Sequence, residues 1–400
     1  MKTPLIIILL SLSSLHIFAA WDGKTIATSY AGGDGTRNNP YQIATCEQFA
    51  FMVQSVNATA NYSRGKYFKL VADLLFNDAV LSTANDVLKK GDAFPVSPTM
   101  GEYKDPENYT AFQGVFDGDG HTISGLYYVD WGNAFTMFKA LDGATVKNLT
   151  ITDSYIYSGS NLGFIAAAVY DSKIINCQVT NSRMDSWAST SGAICGRTFR
   201  TTRIQNCYAN VTISAKNCCG GICGMAATNQ AGFVNDVIIE NCLTNCYMTY
   251  TKDDVKAGVA YYMYANAVIR NNWYSGNTTK DFGANTWSDG FDKEENNSIV
   301  SELSAAVSAL NAKATFIPGA CRWNANGTLD FSKMTDDGDV ADINARATDP
   351  VPTNGDMHVI AQDGKVNLSW TSPADGKAVK YNSILETQRM RWSLPQFLLR

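Results

Sequence analysis

Asp117, Asp119 and His121, spaced two apart in the run Phe116-Asp117-Gly118-Asp119-Gly120-His121, form the group best suited to chemistry. Carboxylates at this spacing could ligate calcium, or share acid and base work on a polysaccharide as a lyase or glycoside hydrolase requires. The same Asp-Gly-Asp-Gly wording is what a tight corner between short strands demands, because Asp and Gly accept left-handed backbone. This structural reading is the one the residues favour. The sequence holds three histidines, and only His121 and His358 lie beyond the first twenty residues. Neither a Ser-His-Asp triad nor a His-rich zinc site is therefore expected. Cys218, Cys219 and Cys223 cluster without paired CxxC spacing, which reads as packing and not as a metal site. No cofactor is expected.

A second group could bind without catalysis. Trp187, Tyr261, Tyr264, Trp273 and Trp287 lie in or beside the later part of a repeating region. Exposed rings stacking on sugar faces are a common route to glycan recognition. Some of these rings must instead be core.

The elements that position both groups follow from a repeat. Asn148, Asn176, Asn206, Asn241 and Asn271 recur at spacings of 28, 30, 35 and 30 residues, three of them followed by Cys177, Cys207 and Cys242. Each repeat also carries a Gly step, as in Gly163-Phe164-Ile165 and Gly192-Ala193-Ile194. Such a period marks stacked repeats. The intervening runs alternate apolar and polar residues between Gly, Asn and Ser, a strand-and-turn pattern with no helical spacing. Stacking at the ~4.8 Å spacing of neighbouring strands buries a continuous core that no single repeat could bury. The expected fold is all-β: a right-handed parallel β-helix, a pectate-lyase-like solenoid, with helical N- and C-terminal caps and a partial β-sandwich-like tail. The recurring Asn residues read as a structural ladder whose amides bond to the turns above and below. The matching cysteines read as small buried fillers and are expected to be mostly free thiols.

Composition limits the partners. An apolar fraction of 45% with 17% charged residues suits a folded strand-rich protein, and a net charge of −5 with no basic run argues against nucleic acid. Residues 1–20 read as a signal peptide, from Lys2 through Leu5 to Leu10 and on to Ala20, so a secreted or cell-surface location is expected. No segment beyond residue 20 is expected to span a membrane.

Along the chain, residues 21–110 are expected to hold the N-terminal cap and first strands. A helix follows Thr45, with Phe49, Met52, Val53 and Val56 on one face, and Tyr67 to Val71 is the expected first strand. The β-helix repeats occupy 111–300. A C-terminal cap spans 301–334, made of an amphipathic helix and a hairpin around Asn326-Gly327 that close the end of the coil. A linker covers 335–353.

The run Asn39-Pro40-Tyr41-Gln42-Ile43, Tyr67-Phe68-Lys69-Leu70 with Asp73, the stretch from Phe116 to Leu126, and Val146-Lys147-Asn148-Leu149 resemble exported Bacteroidetes surface proteins with GLUG-type, adhesin-like repeats. The likeness covers roughly residues 25–335. Cys replaces the family's aliphatic residue in two repeats. The resemblance implies a secreted or cell-surface β-helix that is adhesin-like and has no assigned active site. Residues 354–400, with Val366-Asn367-Leu368-Ser369-Trp370, resemble the opening strands of a fibronectin type III module, cut short. The function expected is non-catalytic presentation of loops to a glycan or host surface protein. A polysaccharide lyase or glycoside hydrolase on the same fold is the enzyme alternative, and a structural surface stalk is a third.

Overall fold

The structure, a computed structural model, describes residues 20–83, 97–103, 109–130, 136–159, 161–187, 190–215, 218–228, 235–249, 256–264, 266–285 and 293–334, together with the backbone of three later strands. The chain divides into two compact units, Met1–Asn344 and Ala345–Arg400. The expected signal peptide, the linker and Trp287 lie outside the described residues.

The first unit is a parallel β-helix of about seven turns. We number its turns by the residues they span: 115–142, 145–170, 173–199, 201–226, 236–263 and 267–285 are the first to the sixth. Every pairing between turns is parallel and nearly in register, as in Val146 opposite Ile174, Ile174 opposite Ile204 and Ile239 opposite Ile269. Alternation turns these residues inward, where they are fully buried, and leaves their neighbours outside. The Gly steps mark where consecutive turns approach most closely. A Cβ on Gly163 would lie 2.4 Å from the Cα of Cys195, and one on Gly192 would lie 2.5 Å from the Cα of Cys223.

Up to three corners bend a turn, and each is marked by a residue with left-handed backbone. At the first corner Asn148, Asn176, Asn206, Asn241 and Asn271 have φ between 54° and 56°. Gly125, Asp153 and Asn181 mark the second corner, and Gly143, Asp171 and Arg200 the third. Asn and Asp tolerate this conformation because their short polar side chains bond locally. At the second and third corners the following serine completes the bend. Ser182 Oγ accepts from Ser154 N at 3.1 Å, and Ser172 Oγ accepts from Ala144 N at 2.9 Å.

The first strand is Tyr41–Ile43, not 67–71: it lies before the helix and pairs in parallel with Tyr67–Leu70. Three residues are too few to show a period, so the strand is silent in the sequence. Helix α1 (Cys46–Ala58) starts at Thr45, whose side chain accepts from Gln48 N, while Gln48 Oε1 accepts from Ala44 N at 2.8 Å. Its buried face sets Phe49 edge-on against Phe76 and Phe116, closing the open end of the core with aromatic area. Further along, Cys195, Cys207, Cys223 and Cys242 replace these rings as buried fillers. All ten cysteines are free and buried.

The C-terminal segment departs from expectation. Helix α2 (Leu303–Ala314) and the hairpin Cys321–Trp323 with Leu329–Met334 do not simply close the last turn. They run back along the first corner as a strap. Val307, Leu310, Trp323 and Leu329 pack on Tyr208 and Leu243, and Ala314, Ile317 and Ala320 pack on Ile175. The second unit carries one antiparallel three-stranded sheet, His358–Gln362, Lys365–Thr371 and Ala378–Ser383.

Candidate binding surface

The Asp117, Asp119 and His121 group is assembled as a corner. Asp117 Oδ1 accepts from Asp119 N at 2.9 Å and from Asn148 Nδ2 at 3.0 Å, so it is the foot of the Asn ladder. Lys147 reaches its other oxygen at 3.4 Å. Asp119, at φ 51°, pairs with Lys69 at 2.8 Å. His121 turns away toward Asp73, with Nδ1 3.1 Å from its carboxylate, which also accepts from Thr122 N. Each group is thus engaged by a residue of a neighbouring rung: Asp117 by Asn148 and Lys147, Asp119 by Lys69 and His121 by Asp73. Among the described residues no cluster of three or more His, Cys, Asp or Glu could hold a metal ion.

The ladder runs unbroken for four rungs. Asn176 Nδ2 donates to Asn148 Oδ1, Asn206 to Asn176 and Asn241 to Asn206, each at 2.8 Å. It stops short of Asn271. Asn241 Oδ1 is buried with no partner among the described residues, and Asn272 takes over one position later, accepting from Cys242 N at 3.0 Å. Cys177, Cys207 and Cys242 stack beside the ladder, each Sγ donating to the carbonyl two residues before it. Burial pushes the Cys177, Cys195 and Cys242 thiols well above the ordinary range, and Cys219 and Cys246 up to about 12. These groups are therefore packing atoms and not nucleophiles.

The five rings named as glycan candidates separate on inspection. Tyr261 is buried, its ring edge-on to Tyr262 at 4.8 Å, so no face is free for a sugar. Tyr264 is half-buried against the core, and Trp273 is partly covered beside the strap. A strand places alternate side chains on opposite faces, and adjacent tyrosines cannot both be presented. Trp187 alone of the described four is exposed, at 53%.

A ring that sequence reasoning missed stands on the same side. Tyr247 is 57% exposed in the strand Leu243–Thr249, where Cys246 and Met248 point inward. That alternation was the available signal. Register aligns Tyr155, Arg183, Thr212 and Tyr247 across the second to fifth turns, and Tyr157, Asp185, Ser214 and Thr249 beside them. Trp187 follows two residues after Asp185. The guanidinium of Arg183 donates to Asp185 through Nε at 3.0 Å and Nη2 at 3.2 Å, a forked pair. Tyr155 OH donates to the same carboxylate at 2.9 Å. Burial, reinforced by Asp185, raises the Tyr155 phenol and keeps that proton in place. The hydroxyls of Thr212 and Ser214 face outward between the two exposed rings, without hydrogen-bond partners among the described residues.

No family model matches the chain. Halomucin from Haloquadratum walsbyi is 31% identical to it over 156 residues, which make up 38% of this chain and only 2% of halomucin. A candidate immunoglobulin A1 protease from Bacteroides ovatus superposes with a TM-score of 0.45 at 18% identity, covering 76% of this chain and 95% of the other. Likeness at that level carries no argument about shared chemistry. Among the described residues no helix is long and apolar enough to cross a membrane.

Proposed function

We propose that this is an exported, cell-surface or secreted adhesin-like protein that binds without catalysis. Its β-helix is a rigid shaft whose outward face meets a glycan or host surface protein. The observation that carries this reading is the fate of Asp117, Asp119 and His121: Asp117 is held by Asn148, Asp119 by Lys69 and His121 by the Asp73 carboxylate, so each is engaged by a residue of an adjoining rung. The leader-like start, the GLUG-type wording of the first rungs and the local likeness to a mucin-named protein support display outside the cell.

Two measurements test it. Protease shaving of intact cells, with fractionation, should find the chain on the surface or in the medium. Recovery only from the cytoplasm would defeat the reading. A glycan array run beside an assay for new reducing ends should give retention without turnover. Turnover that disappears in Asp119→Asn would establish an enzyme instead.

A further inference from the structure

We propose that the outward face of the third to fifth turns, from Trp187 across Arg183 and Thr212 to Tyr247, is a binding site for an uncharged oligosaccharide. This deepens the surface-binding reading and rests on it. Among the described residues the exposed large rings are Trp187, Tyr247 and Phe316, and the first two belong to this one face. Met184, Ile213 and Met248, their alternate neighbours, are buried in the core. The rings therefore sit on a stiff wall and lose little freedom on binding.

The chemistry between the rings selects the ligand. Among the described residues of the patch Arg183 and Asp185 neutralise each other, leaving no net charge to attract an acidic chain. The guanidinium side chain remains 29% exposed, leaving N–H donors toward solvent. Thr212 and Ser214 add hydroxyls that both donate and accept, which suits a ligand made of hydroxyls. Among the described residues of this face the exposed large apolar groups are two separated rings with polar atoms between them. A protein partner would call for a continuous apolar centre. Two turns separate Tyr247 from Arg183, about 10 Å along the axis, and four residues separate Arg183 from Trp187, about 13 Å along the strand. The rings thus flank a diagonal track long enough for a short oligosaccharide and too long for one sugar.

The test uses the full chain with four probes: cellohexaose, xylohexaose, mannohexaose and the acidic hexamer of galacturonate, followed by calorimetry. At least one neutral hexamer should bind, with affinity changed less than about twofold by added salt, because no charge pairs form. Trp187→Ala and Tyr247→Ala should each weaken it about tenfold or more. Phe316→Ser, on the strap, should leave it unchanged, and melting curves establish that each variant folds. The site is overturned if no neutral hexamer binds, if only the acidic hexamer binds with strong salt dependence, or if folded Trp187 and Tyr247 variants bind as the parent does. A surface-exposed chain that retains glycan regardless of those two rings would keep the adhesin reading and discard this site.

Discussion

At the corner marked by Asn148, Asn176, Asn206 and Asn241 the side chains bond to one another from rung to rung. At the corner marked by Asp153 and Asn181 a single exposed bond of that kind, from Asn181 Nδ2 to Asp153 Oδ1, is joined by the serines that follow, Ser154 and Ser182, which accept from the rung before. The first corner is buried under the strap. Asn176 Nδ2 donates to Gly319 O at 2.7 Å, its Oδ1 accepts from Cys321 N at 2.8 Å, and Asn206 Oδ1 accepts from Trp323 Nε1 at 2.7 Å. The second corner meets water: Asp153 and Asn181 are exposed. In the fourth turn it is deleted, with Thr180 opposite Asn210 and Ser182 opposite Val211, so Asn181 has no counterpart. Water can satisfy a broken rung at an open corner, whereas a buried amide oxygen left unmatched, as Asn241 Oδ1 is at the ladder's end, costs stability. A solenoid can therefore vary its exposed corners freely and must keep its buried ones in step.

Alkali should separate the two corners most sharply, because thiols follow the first and hydroxyls the second. Burial raises Cys177 and Cys242, so their contribution is fully present below the unfolded thiol range near pH ~8.5 and is lost as pH rises from there toward the raised folded-state value. Each such thiol costs about 1.4 kcal/mol per pH unit above that point, and urea titrations at rising pH should show the decline. Asn206→Ala should cost about 3 kcal/mol, since it strips partners from Asn176, Asn241, Cys321 and Trp323 together. A loss below about 1 kcal/mol in urea unfolding would make the two corners equivalent and sink the comparison. Trp323→Phe keeps the ring and drops one bond to Asn206, which retains Asn241 as a donor. The expected loss is about 1 kcal/mol, read as a lower midpoint. Asn181→Ala should be mildest, about 0.5–1 kcal/mol, from placing Ala at φ 40° and dropping an exposed bond to Asp153 that water can replace.

Legibility in the sequence followed periodicity. The Asn, Cys and Gly steps recur, so the stacking, the buried cysteines and the first corner could be read from spacing. The second and third corners carry an equally local signal, Asp153-Ser154, Asp171-Ser172 and Asn181-Ser182, but it repeats too few times to stand out. The candidate rings were harder. Tyr261, Tyr264 and Trp273 are aromatic residues in strand-like runs, as Tyr247 is, and composition does not say which face a ring takes. Only the register of Tyr247 with Thr212 and Arg183 places it beside Trp187's face, while Tyr261 turns into a packed cluster with Cys218 and Ala257.

By itself the sequence determined the coil, because a repeated left-handed corner and a repeated inward apolar position leave little choice but to stack. Tertiary structure alone decided what lies over the coil. The hairpin's backbone meets the ladder across 145 residues of chain, from Cys321 N to Asn176 Oδ1, and no local pattern encodes a contact of that range. Burial of the Asn ladder follows from where that strap came to rest, and the strap leaves Trp187 and Tyr247 exposed.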